Sequence, residues 1–152
     1  MDFDLLLKLV ARWVHILSAT LAVGVPIYMR FVQLPVLETL DEETRSRVRE
    51  SMAKRWRIWV YNLIVLFLLT GLYNFLVVAR WRDFDAAAKS RYHMLFGIKF
   101  ILALGVFFLL SALAGRSATL AGIRAKAGLW TNITILLGIG VVAVSGVMRV
   151  LP

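Results

Sequence analysis

The sequence predicts an all-α integral membrane protein, an up-down-up-down four-helix bundle that forms a single domain over residues 1–152. The first reason is composition: 61% hydrophobic residues, 18% charged residues and a mean hydropathy of +0.79 are too apolar for a soluble domain of this size. The second is that charged clusters leave four apolar runs, each near the ~20 residues that a helix needs to cross a bilayer. The predicted spans are residues 5–29, 58–79, 92–115 and 127–148.

The first span follows Asp2 and Asp4 instead of a basic segment, so we expect it to be retained rather than cleaved as a signal peptide. It contains ionisable groups, which are costly near the bilayer centre unless a partner or water compensates. All nine acidic residues lie outside the spans or at their ends, so we expect a ligand to supply the counter-charge. Steps of three or four residues place one set of side chains on a single helix face: Lys8, Arg12, His15, Ala19, Ala22 and Pro26.

His15 is the candidate metal ligand of this span. An imidazole nitrogen could bind the iron of haem b, while Arg12 and Lys8, nearer the membrane surface, neutralise the carboxylates of the cofactor. The alternative is that His15 is a packing residue bonded to a polar side chain such as Ser18 or Asn132. Ionisable residues inside a membrane are functional by default, which favours the ligand interpretation.

The connection between the first two spans is predicted to form a helix that runs into the second span. Thr39-x-x-Glu42 has the pattern of a capping box. The charges of this segment are typical of a solvated helix face. Two pairs of opposite charge at i,i+4 support the helix: Glu43 with Arg47, and Glu50 with Lys54.

The second and fourth spans each have an asparagine near their start, Asn62 and Asn132, which are further candidates for binding a cofactor. Because both spans start on the same side, we expect the two amides to lie at comparable depth and to hydrogen-bond across the bundle. In the fourth span, the spacing of Gly138, Val142 and Ser145 predicts a close helix contact. Tryptophans at the ends of the runs are typical of an interfacial belt: Trp56, Trp59, Trp81 and Trp130.

The third span offers two candidates for a second ligand, Lys99 and His93. Lys99 matches the depth of His15 better, because His93 lies nearer the membrane surface. The two residues are separated by roughly 120° around the helix, so they cannot both face the same point. Lys99 would have to be neutral to bind iron. The alternatives are that Lys99 extends its amine to the surface and that His93 is an interfacial residue beside Tyr92.

Charge and cysteine content narrow the types of cofactor site and partner that the protein could have. The sequence has no cysteine, which excludes disulfides, thiolate haem ligation and iron–sulfur clusters. The net charge of +9 suits contact with the anionic headgroups of a lipid bilayer and gives no reason to expect nucleic acid. Lys and Arg are more numerous in the first and third loops than on the other side. This predicts a multi-pass protein of the cell inner membrane with both termini outside.

Several motifs carry a resemblance to a known family. They are "WVHILSATLAVG" with His15, "KRWRIWVYN" at the second span, "FGIKFILALG" with Lys99, Asn132 in the fourth span, and the ending "MRVLP". Over most of the chain these resemble the HemJ-type protoporphyrinogen oxidases and their CopD-like relatives. The resemblance implies a bacterial membrane oxidoreductase of porphyrin biosynthesis that binds haem b, with His15 and Lys99 as iron ligands and catalytic residues. Such proteins oxidise protoporphyrinogen IX, and their electrons pass to the quinone pool.

The chain also differs from the HemJ-type pattern, so three functions stay open. Gly97 stands where that family usually has a histidine, and "QLPVL" looks more like the CopD-like proteins, which are associated with copper. The alternatives to an oxidase are a non-enzymatic haem protein that carries electrons and a copper transporter. Copper transport has the least support, because Cu(I) prefers thiolates and thioethers and no M-x-x-M pair is present. One chain has ligands for one haem, and a homo-oligomer would hold more.

Overall fold

The computed structural model describes residues 2–81 and 85–150, which are almost entirely helical and contain no β-strand. The predicted all-α fold is confirmed for this part of the chain. The Trp81 side chain of the predicted belt and residues 151–152 of the "MRVLP" ending lie outside the described residues. The elements are α1 (Phe3–Tyr28), a π-helical turn (Met29–Gln33), α2 (Leu34–Glu38), α3 (Glu42–Trp81), α4 (Ala86–Ala114), a 3-10 turn (Ala118–Leu120), α5 (Ala121–Ala125) and α6 (Ala127–Val150).

In the described part of the chain, four helical segments are long and apolar enough to cross a membrane, as the sequence predicts. They are the continuous segment Phe3–Glu38 and the helices α3, α4 and α6. α3 begins at Glu42, which confirms the predicted helix that runs into the second span at residue 58, and α4 begins at Ala86 rather than at residue 92. The helices extend beyond the apolar runs because the flanking Glu, Lys, Arg and Ala residues have high helix propensity.

The first helix changes its geometry near Pro26, which is buried inside α1. Proline has no N–H for the i→i−4 bond, and its ring crowds the preceding turn. The chain widens into the π-helical turn just beyond it and then resumes as α2, where Pro35 occupies the first turn. A missing N–H carries no cost in a first turn, so the segment continues past the predicted end of the first span.

The start of α3 corrects one local prediction and confirms another. Asp41 caps the helix, because the backbone N–H of Thr44 donates to its carboxylate oxygen at 2.9 Å. The Thr39 hydroxyl instead donates to the Val36 carbonyl, so the predicted capping box is wrong. The predicted pair of Glu43 and Arg47 forms at 3.9 Å.

The other predicted pair, Glu50 with Lys54, is also wrong. Glu50 Oε1 lies 2.8 Å from the guanidinium Nη2 of Arg116, which follows the end of α4. Arginine offers a carboxylate several donors in a fixed plane, whereas a lysine on the same helix provides one flexible ammonium group. The contact ties the charged part of α3 to the end of α4.

The four long helices form a bundle in which each packs against two neighbours: α1 against α3 and α6, and α4 against α3 and α6. Phe67 of α3 and Phe107 of α4 meet edge to face, with ring centroids 5.1 Å apart. The predicted close contact at Gly138 is confirmed, because this glycine is buried against Val23 of α1. Val142 is exposed, and the Ser145 hydroxyl donates to the Val141 carbonyl of its own helix.

The outer faces of the long helices are apolar. Leu17, Leu69, Ile101 and Leu136 are each at least 63% exposed, one on each long helix. An extended apolar surface of this kind would be costly in water, whereas it is the expected surface of helices in lipid. The outer faces are therefore consistent with contact with a lipid bilayer.

Replacing Gly138 with leucine should destabilise the bundle. A Cβ at this position would lie 2.9 Å from Val23 Cγ2, so α1 and α6 would have to separate. Overpacking of this kind costs about 1–3 kcal/mol. Gly146→Leu is the matched control, because nothing lies within 4 Å of a Cβ at Gly146 on the same helix. Unfolding free energies measured by denaturant titration in detergent micelles should fall for Gly138→Leu alone. Equal losses in the two variants would contradict the contact.

Candidate functional site

His15 lies at the contact between α1 and α3, where its imidazole is half-buried. Its ring centroid is 4.2 Å from that of Phe67, and the two planes are inclined by 39°. Gly71 makes room for the ring, because a Cβ there would lie 2.9 Å from His15 Cε1. The absence of a side chain at Gly71 therefore allows the imidazole to lie against the backbone of α3.

The Nδ1 atom of His15 is engaged by α3. It lies 3.2 Å from the Phe67 carbonyl oxygen and 3.2 Å from Thr70 Oγ1. A carbonyl oxygen only accepts, so its hydrogen bond requires Nδ1 to carry the hydrogen. The Thr70 hydroxyl donates to the Leu66 carbonyl at 2.5 Å, which leaves its oxygen free to accept from the imidazole. The neutral ring then has its lone pair on Nε2.

This arrangement bears on both interpretations of His15. Histidines that bind metals commonly donate their other ring N–H to a carbonyl oxygen, which fixes the tautomer and the ring orientation. His15 has that second hydrogen bond. It is also bonded to a neighbouring helix, but its partners are on α3 and are neither Ser18 nor Asn132, the two that the packing interpretation suggested.

The two candidate second ligands, Lys99 and His93, differ in burial. Lys99 is half-buried on α4 and interacts electrostatically with the His15 side chain. His93 is exposed and lies edge to face with Phe75, with centroids 5.6 Å apart, as an interfacial histidine would. Lys99 therefore lies within the bundle, as His15 does, whereas His93 lies at its surface.

The other candidate residues are more dispersed. On the face of α1 that carries His15, Ala22 and Pro26 are buried and Lys8 is half-buried, whereas Arg12 is exposed. The predicted hydrogen bond between Asn62 and Asn132 is wrong. Asn132 Oδ1 instead accepts from Arg30 Nε at 2.9 Å, and Asn62 is exposed. The guanidinium of Arg30 is the stronger donor because it is charged.

A large cavity lies at the end of the bundle away from Lys8 and His93. This cavity of about 910 Å³ lies along the first half of α3, where α1 ends, α4 ends and α6 begins, and several arginines line it. Sequence reasoning did not find it, although the basic segment "KRWR" before the second span was a signal. His15 does not line this cavity. A cavity of about 20 Å³ beside Phe67 is far too small for a tetrapyrrole.

Clusters of hard or borderline metal ligands are not found in the described part of the chain. No group of three or more His, Cys, Asp or Glu side chains comes together there. A metal at His15 would therefore need ligands of another kind, such as Lys99 or a cofactor that brings its own donors.

Comparison of the chain with protein-family models, with curated proteins and with solved structures found no match. The likeness of the "WVHILSATLAVG" and "FGIKFILALG" motifs to HemJ-type proteins is therefore a resemblance of short motifs. The functional argument rests on the geometry around His15.

The tautomer of His15 can be measured directly, because the chain has only two histidines. We expect nitrogen NMR of the imidazole-labelled, metal-free protein in micelles to show Nδ1–H and an unprotonated Nε2 for His15. The hydrogen bond from Nδ1 to the Phe67 carbonyl oxygen is the reason. A His93→Gln variant assigns the two signals and should leave that of His15 unchanged. An Nε2–H tautomer for His15 would contradict the hydrogen bond.

Proposed function

We propose that this protein is a haem b-binding integral membrane redox protein that acts as a protoporphyrinogen IX oxidase and passes electrons to the quinone pool. The observation that carries the proposal is the His15 site: Nδ1 is held by α3, Nε2 is left as a ligand, and Lys99 lies in electrostatic range. The motif resemblance supports the choice of haem and porphyrinogen.

We propose further that the four long helices cross a cell inner membrane in up-down-up-down order with both termini outside. Contacts between the helices support this order. Arg57, directly before the predicted second span, bonds to Ala114 at the end of α4. Arg30, just beyond α1, bonds to Asn132 near the start of α6. Lys and Arg favour the cytoplasmic side, which supports the orientation.

The donor set at His15 is suited to haem iron. Neutral imidazole is a common axial ligand, and a half-buried site among apolar helices excludes most water. A lysine binds iron only through a neutral amine, which is how Lys99 would serve as the second ligand. When bound, haem b supplies one-electron chemistry that the side chains of this protein lack.

The protein's own residues would orient the cofactor and the substrate. The Phe67 carbonyl and the Thr70 hydroxyl fix the plane of His15, and Gly71, which has no side chain, lets the ring lie against α3. Arg12 and Lys8 lie one and two turns towards the start of α1, where their charges would attract the carboxylates of a haem or a porphyrinogen. His15 and Lys99 are the groups we assign to both cofactor binding and activity.

A haem protein that carries electrons without oxidising a porphyrinogen is the second candidate function. It uses the same ligands. Gly97 favours it, because the HemJ-type family usually has a histidine at that position, two residues before the lysine. The two functions differ only in whether a porphyrinogen is consumed.

An absorption spectrum of the detergent-purified protein tests the proposal. The wild type, reduced with dithionite, should show a Soret band with sharp α and β bands, which are typical of low-spin haem b. His15→Ala should lose the bands because the iron loses its ligand, and Lys99→Met should lose or shift them. His93→Ala is the matched control, because His93 is an exposed histidine of the same chain, and its spectrum should be that of the wild type.

A colourless wild-type protein with background iron, from cells that make haem, would contradict the proposal. A haem spectrum that survives His15→Ala unchanged would also contradict it. If haem is bound, a fluorescence assay for protoporphyrin formation from protoporphyrinogen IX separates the two candidates. The oxidase should accumulate protoporphyrin at a rate that His15→Ala abolishes, whereas the electron carrier should show no rate above that of buffer.

A further inference from the structure

The cavity of about 910 Å³ lies at the end of the bundle away from His15 and Lys99, and neither of those residues lines it. We propose that it binds one anionic phospholipid, with the headgroup phosphate among the arginines and the acyl chains along the apolar wall. This site is independent of haem binding, because its lining residues come from the other end of the helices.

The charge of the lining is strongly positive. Five arginines line the cavity, and among the described lining residues the acidic one is Glu50. That carboxylate is already paired with Arg116 at 2.8 Å, so it does not offset the remaining guanidinium groups. The arginines are Arg49, Arg55, Arg57, Arg116 and Arg124. Such a cluster is suited to phosphate, whose oxygens accept paired N–H donors from guanidinium groups.

Two of these arginines are held in place by backbone carbonyls. Arg57 Nε donates to the carbonyl oxygen of Ala114 at 2.9 Å, and Arg124 Nη2 donates to that of Ser117 at 2.6 Å. The other terminal nitrogen of Arg124, Nη1, is buried and has no hydrogen-bond partner among the described residues. Buried donors are normally satisfied, so this nitrogen requires an acceptor that the lining does not supply. A phosphate oxygen is such an acceptor.

The remaining wall favours a lipid over a soluble anion. Val25, Leu37 and Leu113 give it an apolar surface, and Trp56 and Trp59 also line it. Tryptophan is typical of the headgroup level of a bilayer, where an apolar ring and a polar N–H are both accommodated. A free phosphate would contact only the charged part of this cavity, whereas a phospholipid matches both parts.

Native mass spectrometry of the full chain in detergent, titrated with phosphatidylglycerol, tests the site. We expect one lipid to be retained by the wild type, and Arg124→Gln and Arg55→Gln each to weaken that binding about tenfold, which is the effect of losing one charged contact. Arg47→Gln is the matched control. It removes the same charge from the same exposed part of α3, but Arg47 does not line the cavity, so binding should stay within about twofold of wild type.

Two further ligands, tested in the same titration, define which part of the lipid is recognised. Phosphatidylcholine, which has the same tails and no net charge, should be retained at least about tenfold less well. Glycerol phosphate, which has the phosphate without the tails, should not displace phosphatidylglycerol at equal concentration. Displacement by glycerol phosphate would overturn the lipid proposal in favour of a free phosphate site. Equal weakening by Arg47→Gln and Arg124→Gln would also overturn it, because the attraction would then be a general effect of surface charge.

A measurement on the intact site keeps the proposal testable if Arg124→Gln fails to fold. Phosphatidylglycerol with brominated tails, mixed into phosphatidylcholine vesicles, should quench the fluorescence of Trp56 and Trp59 more than brominated phosphatidylcholine does at equal content. The excess quenching should disappear in the double variant Trp56→Phe, Trp59→Phe. Equal quenching by the two brominated lipids in the wild type would overturn the proposal.

Discussion

The fold depends on satisfying polar groups within helices whose surroundings are apolar. An unpartnered donor or acceptor in such surroundings is costly, so each polar side chain among the spans needs a neighbour. Thr134 and Ser145 donate to carbonyls four residues earlier in their own helix. His15 has no such partner on α1 and is bonded to α3 instead, across the helix interface. The hydrogen bonds of this one ring therefore contribute to how α1 and α3 meet.

Packing around His15 follows from the same requirement. The imidazole reaches the Phe67 carbonyl only because Gly71 presents no side chain, and the ring then lies against Phe67. Phe67 in turn contacts Phe107 of α4, the helix that carries Lys99. A chain of contacts thus links α1, α3 and α4 at the level of the candidate site. The same side chains that stabilise the bundle hold the proposed ligand in one orientation, which is the arrangement a metal site needs.

The two ends of the bundle have different chemistry. The end with His93 has aromatic contacts, in which Phe75 stacks against Phe96 with centroids 3.9 Å apart. The other end has the charged extension of α3 and the arginine-lined cavity. Arg57 and Arg116 each join α3 to the end of α4 by a hydrogen bond, so the charged end has defined structure of its own. A redox centre near His15 and a lipid site at the charged end would therefore occupy separate parts of one small protein.

The sequence alone determined the helical class and the four apolar segments, because both follow from the length and continuity of apolar runs. It also singled out His15 and Lys99 as candidates, since ionisable residues in such runs are rare. It did not reveal the Glu50–Arg116 pair, the Arg30–Asn132 bond or the cavity. The first two join residues 66 and 102 positions apart, and such contacts depend on which helix faces meet. The partners of His15 and the surroundings of the Arg124 guanidinium were likewise decided by packing, because local patterns carry no information about the rotation of one helix against another.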